Sequence, residues 1–231
     1  MNNDVPIIAV DGPGGVGKGT LCQLLAVKLG WNLLDSGSLY RITAYAAKQK
    51  NINLKDSVKV SELSKNLNIQ FKRKDQEVHF ILDGIDISCK IRNESISLAA
   101  SIIAADSDVR KSLITRQQAF AISPGLVADG RDMGSVVFPG AKLKIFLTAD
   151  ISERAQRRYK QLNEKGIDVS LPALSSDMKD RDERDRDRSV APLKACEDAR
   201  ILDSSGLSIE RVFETALGWA QEVYPDIITL R

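Results

Sequence analysis

The chain has 231 residues, 33 lysines and arginines against 31 aspartates and glutamates, a net charge of +2 and 43% hydrophobic residues. At roughly 150 residues per domain, that length fits one large domain or a core with an insertion, able to bury about 70–75% of its unfolded surface without staples. Wholesale disorder is excluded, and the near-balanced charge removes any global argument for nucleic-acid binding.

The first predicted strand, residues 7–10, runs directly into GPGGVGKGT and a helical pattern over 18–29. A strand, a glycine-rich turn and a helix form the context of a phosphate-binding loop. Gly12, Gly14, Gly15 and Gly17, with Pro13 and Val16 between them, let backbone N–H groups converge on anionic oxygens, and the helix adds the positive end of its dipole. Lys18 supplies a full charge to the outer phosphates of a nucleoside triphosphate. Gly19 stands where Ser or Thr usually follows the lysine, so Thr20 reaches magnesium through water at least as readily as directly.

The second strand, 31–34, leads into LLDSGSLYR, with Ser36 and Gly37 at a turn, Ser38 as an expected helix N-cap, and Arg41 one turn into a helix over 38–49. The alternation then breaks. Residues 51–92 read as an inserted accessory sheet, because 69–88 carries two or three antiparallel strands around Asp83-Gly84, a tight-turn dipeptide. His79, the single histidine, sits in the middle strand and is assigned no role.

A helix over 107–121 precedes the third core strand, 126–128, and the loop of VADGRDMGSVVFPG, where Arg131 lies between Asp129 and Asp132. Open parallel sheets bind ligands beyond the carboxyl ends of their strands, and Asp11, Asp35, Asp129 and Asp203 all end strands here. After a fourth strand, 144–147, a helix over 152–161 places Arg154, Arg157 and Arg158 on one face. With a hairpin-like turn at Lys165-Gly166, it is expected to close as an arginine lid. In MKDRDERDRDRSVAP, helical spacing sorts Arg181, Arg184, Asp185 and Arg188 to one side, and Asp182, Glu183, Arg186 and Asp187 to the other. The first side suits a phosphate-and-ribose clamp. A strand at 201–202 and a helix over 208–223 end the pattern, which predicts a parallel sheet covered on both faces.

The apolar runs are too short to cross a bilayer, and the start MNNDVPIIAVDG carries no basic leader. Cys22, Cys89 and Cys196 lack metal-ligand spacing and suit reduced thiols. No Asn-Lys-x-Asp guanine-reading motif occurs, which excludes a GTPase, and the length argues against a motor or transporter ATPase. A small kinase remains, with a non-catalytic nucleotide switch as the competing class. The arginines favour the kinase, since phosphoryl transfer needs two polyanions held in line, charge stabilisation and exclusion of water.

In this order, GPGGVGKGT, LLDSGSLYR, ADGRDMGSVVFPGAKLKIFLTA and RDERDRDR resemble the bacterial cytidylate kinases nearly end to end. The resemblance implies a P-loop NTPase-type fold of α/β class: a five-stranded parallel sheet with helices on both faces, an antiparallel accessory insertion and a short helical lid. The core would be 1–37 and 93–231, with the lid at about 154–170, and 38–92 would be the nucleoside-monophosphate-binding insertion. It implies transfer of the γ-phosphoryl of ATP to CMP and dCMP with Mg2+, and no protein-bound metal. UMP or AMP as acceptor is the nearer alternative. Residues 12–20 would bind ATP. Ser101, Arg110 and Asp132 would read cytosine, and Arg41, Arg131 and Arg188 would take the acceptor phosphate. Arg181 and Asp185 would hold the ribose with Ser36 close by. Lys18, Arg131, Arg188 and Arg158 would act on the migrating group. The protein is expected to be a cytoplasmic monomer with small-molecule partners only and neither nucleic acid nor membrane.

Overall fold

The computed structural model describes residues 5–74, 77–164 and 166–225. The chain divides into two compact units, one formed by residues 1–35 and 118–231, the other by 36–117. The second unit is larger than the expected insertion at 38–92, because helices beyond Arg92 supply much of its apolar core.

The first unit is built on β1 (Ile7–Asp11), β2 (Asn32–Asp35), β6 (Leu126–Gly130), β7 (Leu143–Thr148) and β8 (Arg200–Asp203). They form one parallel sheet in the order β2-β6-β1-β7-β8. All five core strands expected from sequence are present. Ile8, Ala9, Val10, Val127 and Ala128 are fully buried, as central strands of a parallel sheet require. Because β1 is flanked by β6 on one side and β7 on the other, the strand order reverses at its carboxyl end, where such sheets hold ligands.

Helices α1 (Lys18–Leu29) and α8 (Ile209–Val223) bury Leu21, Leu25, Val212, Ala216 and Ala220 in a cluster with Ile8, Val10 and Ile145. Helix α1 stops at Gly30, whose φ of 64° allows the Trp31 N–H to reach back to the Ala26 carbonyl. Tyr224, just past α8, donates its hydroxyl to the Ile7 carbonyl at 2.8 Å and packs edge-on to Trp31. Two further helices, α6 (Ile151–Asn163) and α7 (Leu171–Arg186), follow β7. The stretch after β6 was expected to be a loop, but Met133–Val137 forms a single π-helical turn.

The second unit contains α2 (Ser36–Gln49), α3 (Ser57–Asn66), the antiparallel sheet β3 (Ile69–Lys74), β4 (Glu77–Leu82) and β5 (Ile85–Asp86), then α4 (Glu94–Ile103) and α5 (Ser107–Gln118). Asp83 and Gly84 both take positive φ, 50° and 83°, and pair Leu82 with Ile85, the two-residue turn that the dipeptide predicts. Helix α3 lies inside the stretch read as accessory sheet, capped by the Asp56 carboxylate. His79 accepts a structural role, with Nδ1 2.7 Å from Asp86 Oδ2 on the adjoining strand. Among the described residues, no helix is long and apolar enough to cross a membrane.

Candidate active site

The phosphate loop is shaped by steric necessity as well as by glycine's freedom. Gly12 has φ +150°, and a Cβ there would stand 2.0 Å from the Leu147 carbonyl oxygen of β7. Gly15 has φ +80°, with the Met178 methyl 2.8 Å from where its Cβ would be. Gly17, left-handed at φ 97°, is the N-cap of α1, so Lys18 opens the helix. The Lys18 ammonium folds over the loop and donates to the carbonyls of Gly12 at 2.8 Å and Pro13 at 2.7 Å. Burial pushes its pKa down to about 8, with the nearby Arg131 charge adding to the effect and Asp129 opposing it. Val16 is buried in the core and anchors the loop's middle, while Thr20 is exposed in the first turn of α1. A Cβ on Gly19 would lie 3.6 Å from Asp129 Oδ2, so the glycine leaves that carboxylate close beside the helix start.

At the end of β6, Arg131 turns toward this loop, with Nη2 3.7 Å from where a Cβ on Gly14 would stand. Its Nε donates to Asp185 Oδ2 at 3.0 Å and its Nη1 to the Gly130 carbonyl at 3.2 Å. Asp185 is 1% exposed and accepts from Arg188 through its other oxygen. Burial pushes the Asp185 carboxyl up, but Arg131, Arg188 and Arg181 outweigh it and hold the group below the usual carboxylate range. The structure therefore brings together Lys18, Arg131, Arg181, Asp185 and Arg188. Asp132, the residue after Arg131, is buried at the start of the π-helical turn.

Two expectations about α6 and α7 need correction. Arg154 is no lid arginine. It is buried, donating to the carbonyls of Ala149 and Gly14 and, at 2.6 Å, to Asp182 Oδ2. Arg157 is likewise held, by Glu153 and the Ser204 carbonyl. Only Arg158 of the three keeps the expected role open, half-exposed on α6. Secondly, Asp182 does not lie opposite Asp185. Both are buried, on a stripe that begins with Leu174 and Met178, while Arg184 faces solvent. The apolar residues upstream set the helix register, and the charges follow it. The turn expected at Lys165-Gly166 falls partly outside the described residues, at Lys165. Gly166 itself has φ +71°, and the Ile167 N–H bonds the Leu162 carbonyl, which closes α6 as a helix stop.

The remaining expected residues belong to the second unit. Ser36 opens α2 and donates to Gln117 Oε1 at 2.7 Å. Ser38 is not the N-cap. It lies buried inside α2, where its hydroxyl accepts from Arg41 Nη2 at 2.7 Å. Arg110 on α5 is 3% exposed, donates to the Ala104 carbonyl and stacks 5.9 Å from the Tyr40 ring centre. Ser101 on α4 is also buried. Neither has the exposed setting that polar helix residues ordinarily take.

Sequence reasoning missed Asp182 as an anchor and gave Asp11 no role beyond ending a strand. Asp11 is 6% exposed and accepts the N–H groups of Met133 and Gly134, each at 2.8 Å. The available signal was its place, last in the central strand and next to the phosphate loop.

Comparison with known proteins places the chain in a family. A family model described as cytidylate kinase matches residues 8–222. The chain is similar to the cytidylate kinase of Aeromonas salmonicida strain A449, 52% identical over 226 residues, covering 98% of each chain. It is 51% identical over 229 residues to that of Aeromonas hydrophila subsp. hydrophila, covering 99% of this chain and 100% of that one. A third, from Vibrio cholerae serotype O1, is 51% identical over 96% of this chain and 98% of its own. With its phosphate loop, its arginine-held Asp185 and this match along nearly its whole length, the chain belongs to the cytidylate kinase family.

Proposed function

We propose that the protein transfers the γ-phosphoryl group of ATP to CMP and dCMP, giving ADP with CDP or dCDP. The observation that carries this reading is the position of Arg131, which reaches from Gly14 of the phosphate loop to the buried Asp185. One guanidinium thus borders the donor loop and a carboxylate suited to sugar hydroxyls.

In this reading residues 12–20 wrap the ATP phosphates, with Lys18 leaving the carbonyls of Gly12 and Pro13 for the outer phosphates. In the first unit, Arg131 and Arg188 neutralise the acceptor phosphate, Asp185 and Arg181 take the ribose, and Asp132 reads the base. Within the second unit, the family resemblance gives Arg41 to the phosphate, Ser36 to the sugar, and Arg110 and Ser101 to the base. Cytosine offers an amino donor beside an acceptor nitrogen, which suits a carboxylate and a guanidinium, whereas uracil reverses both contacts. Arg158 is the remaining lid candidate for the migrating group. The groups beside Lys18 that could serve Mg2+ are oxygen donors, the Thr20 hydroxyl and the Asp129 carboxylate, which suit a hard cation. When bound, the ion would neutralise charge on the β- and γ-phosphate oxygens. What the chain itself does is position two anions in line and surround the transferring group with fixed charges.

Base selection tests this reading. With ATP-Mg and CMP, dCMP, UMP, AMP or dTMP in turn, ADP formation is expected to be fastest with CMP and dCMP, by at least about 100-fold in kcat/KM over UMP, as for a site whose buried polar groups a wrong base leaves unpaired. Equal rates with UMP or AMP would overturn the cytosine assignment.

A further inference from the structure

A helical turn that follows an aspartate is commonly capped by that aspartate's own side chain. The turn Met133–Val137 follows Asp132, yet the Asp132 side chain makes no capping bond. The first N–H groups of the turn go instead to Asp11, 122 and 123 residues away, with Met133 N–H on Oδ1 and Gly134 N–H on Oδ2, each at 2.8 Å. Both carboxylate oxygens are engaged, so Asp11 takes the Gly134 N–H that a capping Asp132 would otherwise accept, together with the Met133 N–H, which an N-cap side chain does not reach.

Holding a carboxylate in this place carries a desolvation cost. Asp11 is 6% exposed, and burial pushes its carboxyl up to about 6, the two N–H bonds offsetting the desolvation only in part and Asp132 adding repulsion. Lys18 is the cation facing it, with the Lys144 chain passing the same Gly134 and Cys196 in the loop before β8.

We infer that Asp11 is a positioning residue for base selection: by capping the turn from β1, it keeps the Asp132 carboxylate out of a capping bond and fixes Arg131–Asp132 against the start of the phosphate loop. This rests on the reading of Asp132 as a cytosine contact. Asp11 touches neither nucleotide in this account. It acts through the backbone of Met133 and Gly134.

The test compares Asp11→Asn with Asp132→Asn, measuring kcat and KM for ATP, CMP and UMP. Asn keeps the shape but sets an NH2 against one of the two N–H groups, inviting Asp132 to cap in its place. Asp11→Asn is expected to lower the CMP-over-UMP ratio of kcat/KM by about tenfold or more, with KM for ATP changed less than about twofold. Asp132→Asn is expected to lower the ratio further. If Asp132→Asn collapses the ratio while Asp11→Asn slows both acceptors equally, Asp11 is a structural anchor and the inference fails. If Asp132→Asn leaves the ratio intact, the cytosine assignment itself fails. Should Asp11→Asn not fold, Asp11→Glu is measured in its place: it keeps both acceptor oxygens but moves them by one methylene, and a lowered CMP-over-UMP ratio supports the inference while an equal slowing of both acceptors overturns it.

Discussion

Lys18→Ala is expected to lower kcat by about 10³-fold, equivalent to roughly 4 kcal/mol of transition-state stabilisation. Lys18 opens α1 directly after the glycine turn, so its ammonium reaches the loop that its own backbone helps to form. There it is 5% exposed, and few interactions with water compete for it. A charge held in such a site acts on developing charge far more strongly than one in solvent. The substitution also removes the bonds to the Gly12 and Pro13 carbonyls, so a modest loss of loop order accompanies it. Because burial brings Lys18 down to about 8, the unliganded protein holds its ammonium fully below that pH and loses it as pH rises through 8. ATP binding by the wild type is therefore expected to weaken above pH 8, and the Ala variant should lack that slope. Steady-state kinetics and an ATP titration across pH 6.5–9.5 check both. Activity in Lys18→Ala within about tenfold of wild type would remove the donor-site assignment.

The second large effect concerns stability. Asp182→Ala is expected to destabilise the protein by about 3–5 kcal/mol, the range found when one partner of a buried ion pair is removed and the other charge is left without compensation. Arg154 and Asp182 have side chains only 5% and 3% exposed, and the guanidinium also binds the Gly14 carbonyl. The pair thus fastens α7 to α6 and both to the phosphate loop. Removing Arg154 as well should recover part of the loss, since no charge then stays buried alone. Urea denaturation measures this as a lower midpoint at unchanged slope. A loss below about 1 kcal/mol would place the pair in the class of weak surface bridges.

The fold was legible in the sequence where local pattern and tertiary context agree. The alternation of short apolar runs with helical periodicity identified the five parallel strands, and Asp83-Gly84 identified the hairpin between β4 and β5. Helix α3 was harder to see, because its charged and apolar residues sit in a unit whose core comes from several distant segments. Within the candidate site, Lys18 and the glycines were legible because their chemistry is local. Arg131, Asp185 and Arg188 were legible as a charge pattern but not as a set of partners. Asp182 was assigned the wrong face because periodicity was counted from the charges, whereas Leu174 and Met178 decide which way α7 faces. Arg154 read as a mobile arginine because sequence shows charge but not burial. Ser101 and Arg110 carried no local signal at all, since what distinguishes them from surface residues is their enclosure within the second unit. Asp11 was invisible for a related reason. Its partners are backbone N–H groups more than a hundred residues away, which no side-chain motif reports.

The arginines of a kinase serve transfer between two nucleotides rather than hydrolysis or passive binding. The most direct measurement incubates the protein with equimolar ATP-Mg and CMP and follows ADP, CDP and orthophosphate together. ADP and CDP are expected to appear in a one-to-one ratio, with orthophosphate staying near background. ADP with matching orthophosphate and no CDP, or bound ATP with no turnover, would contradict it.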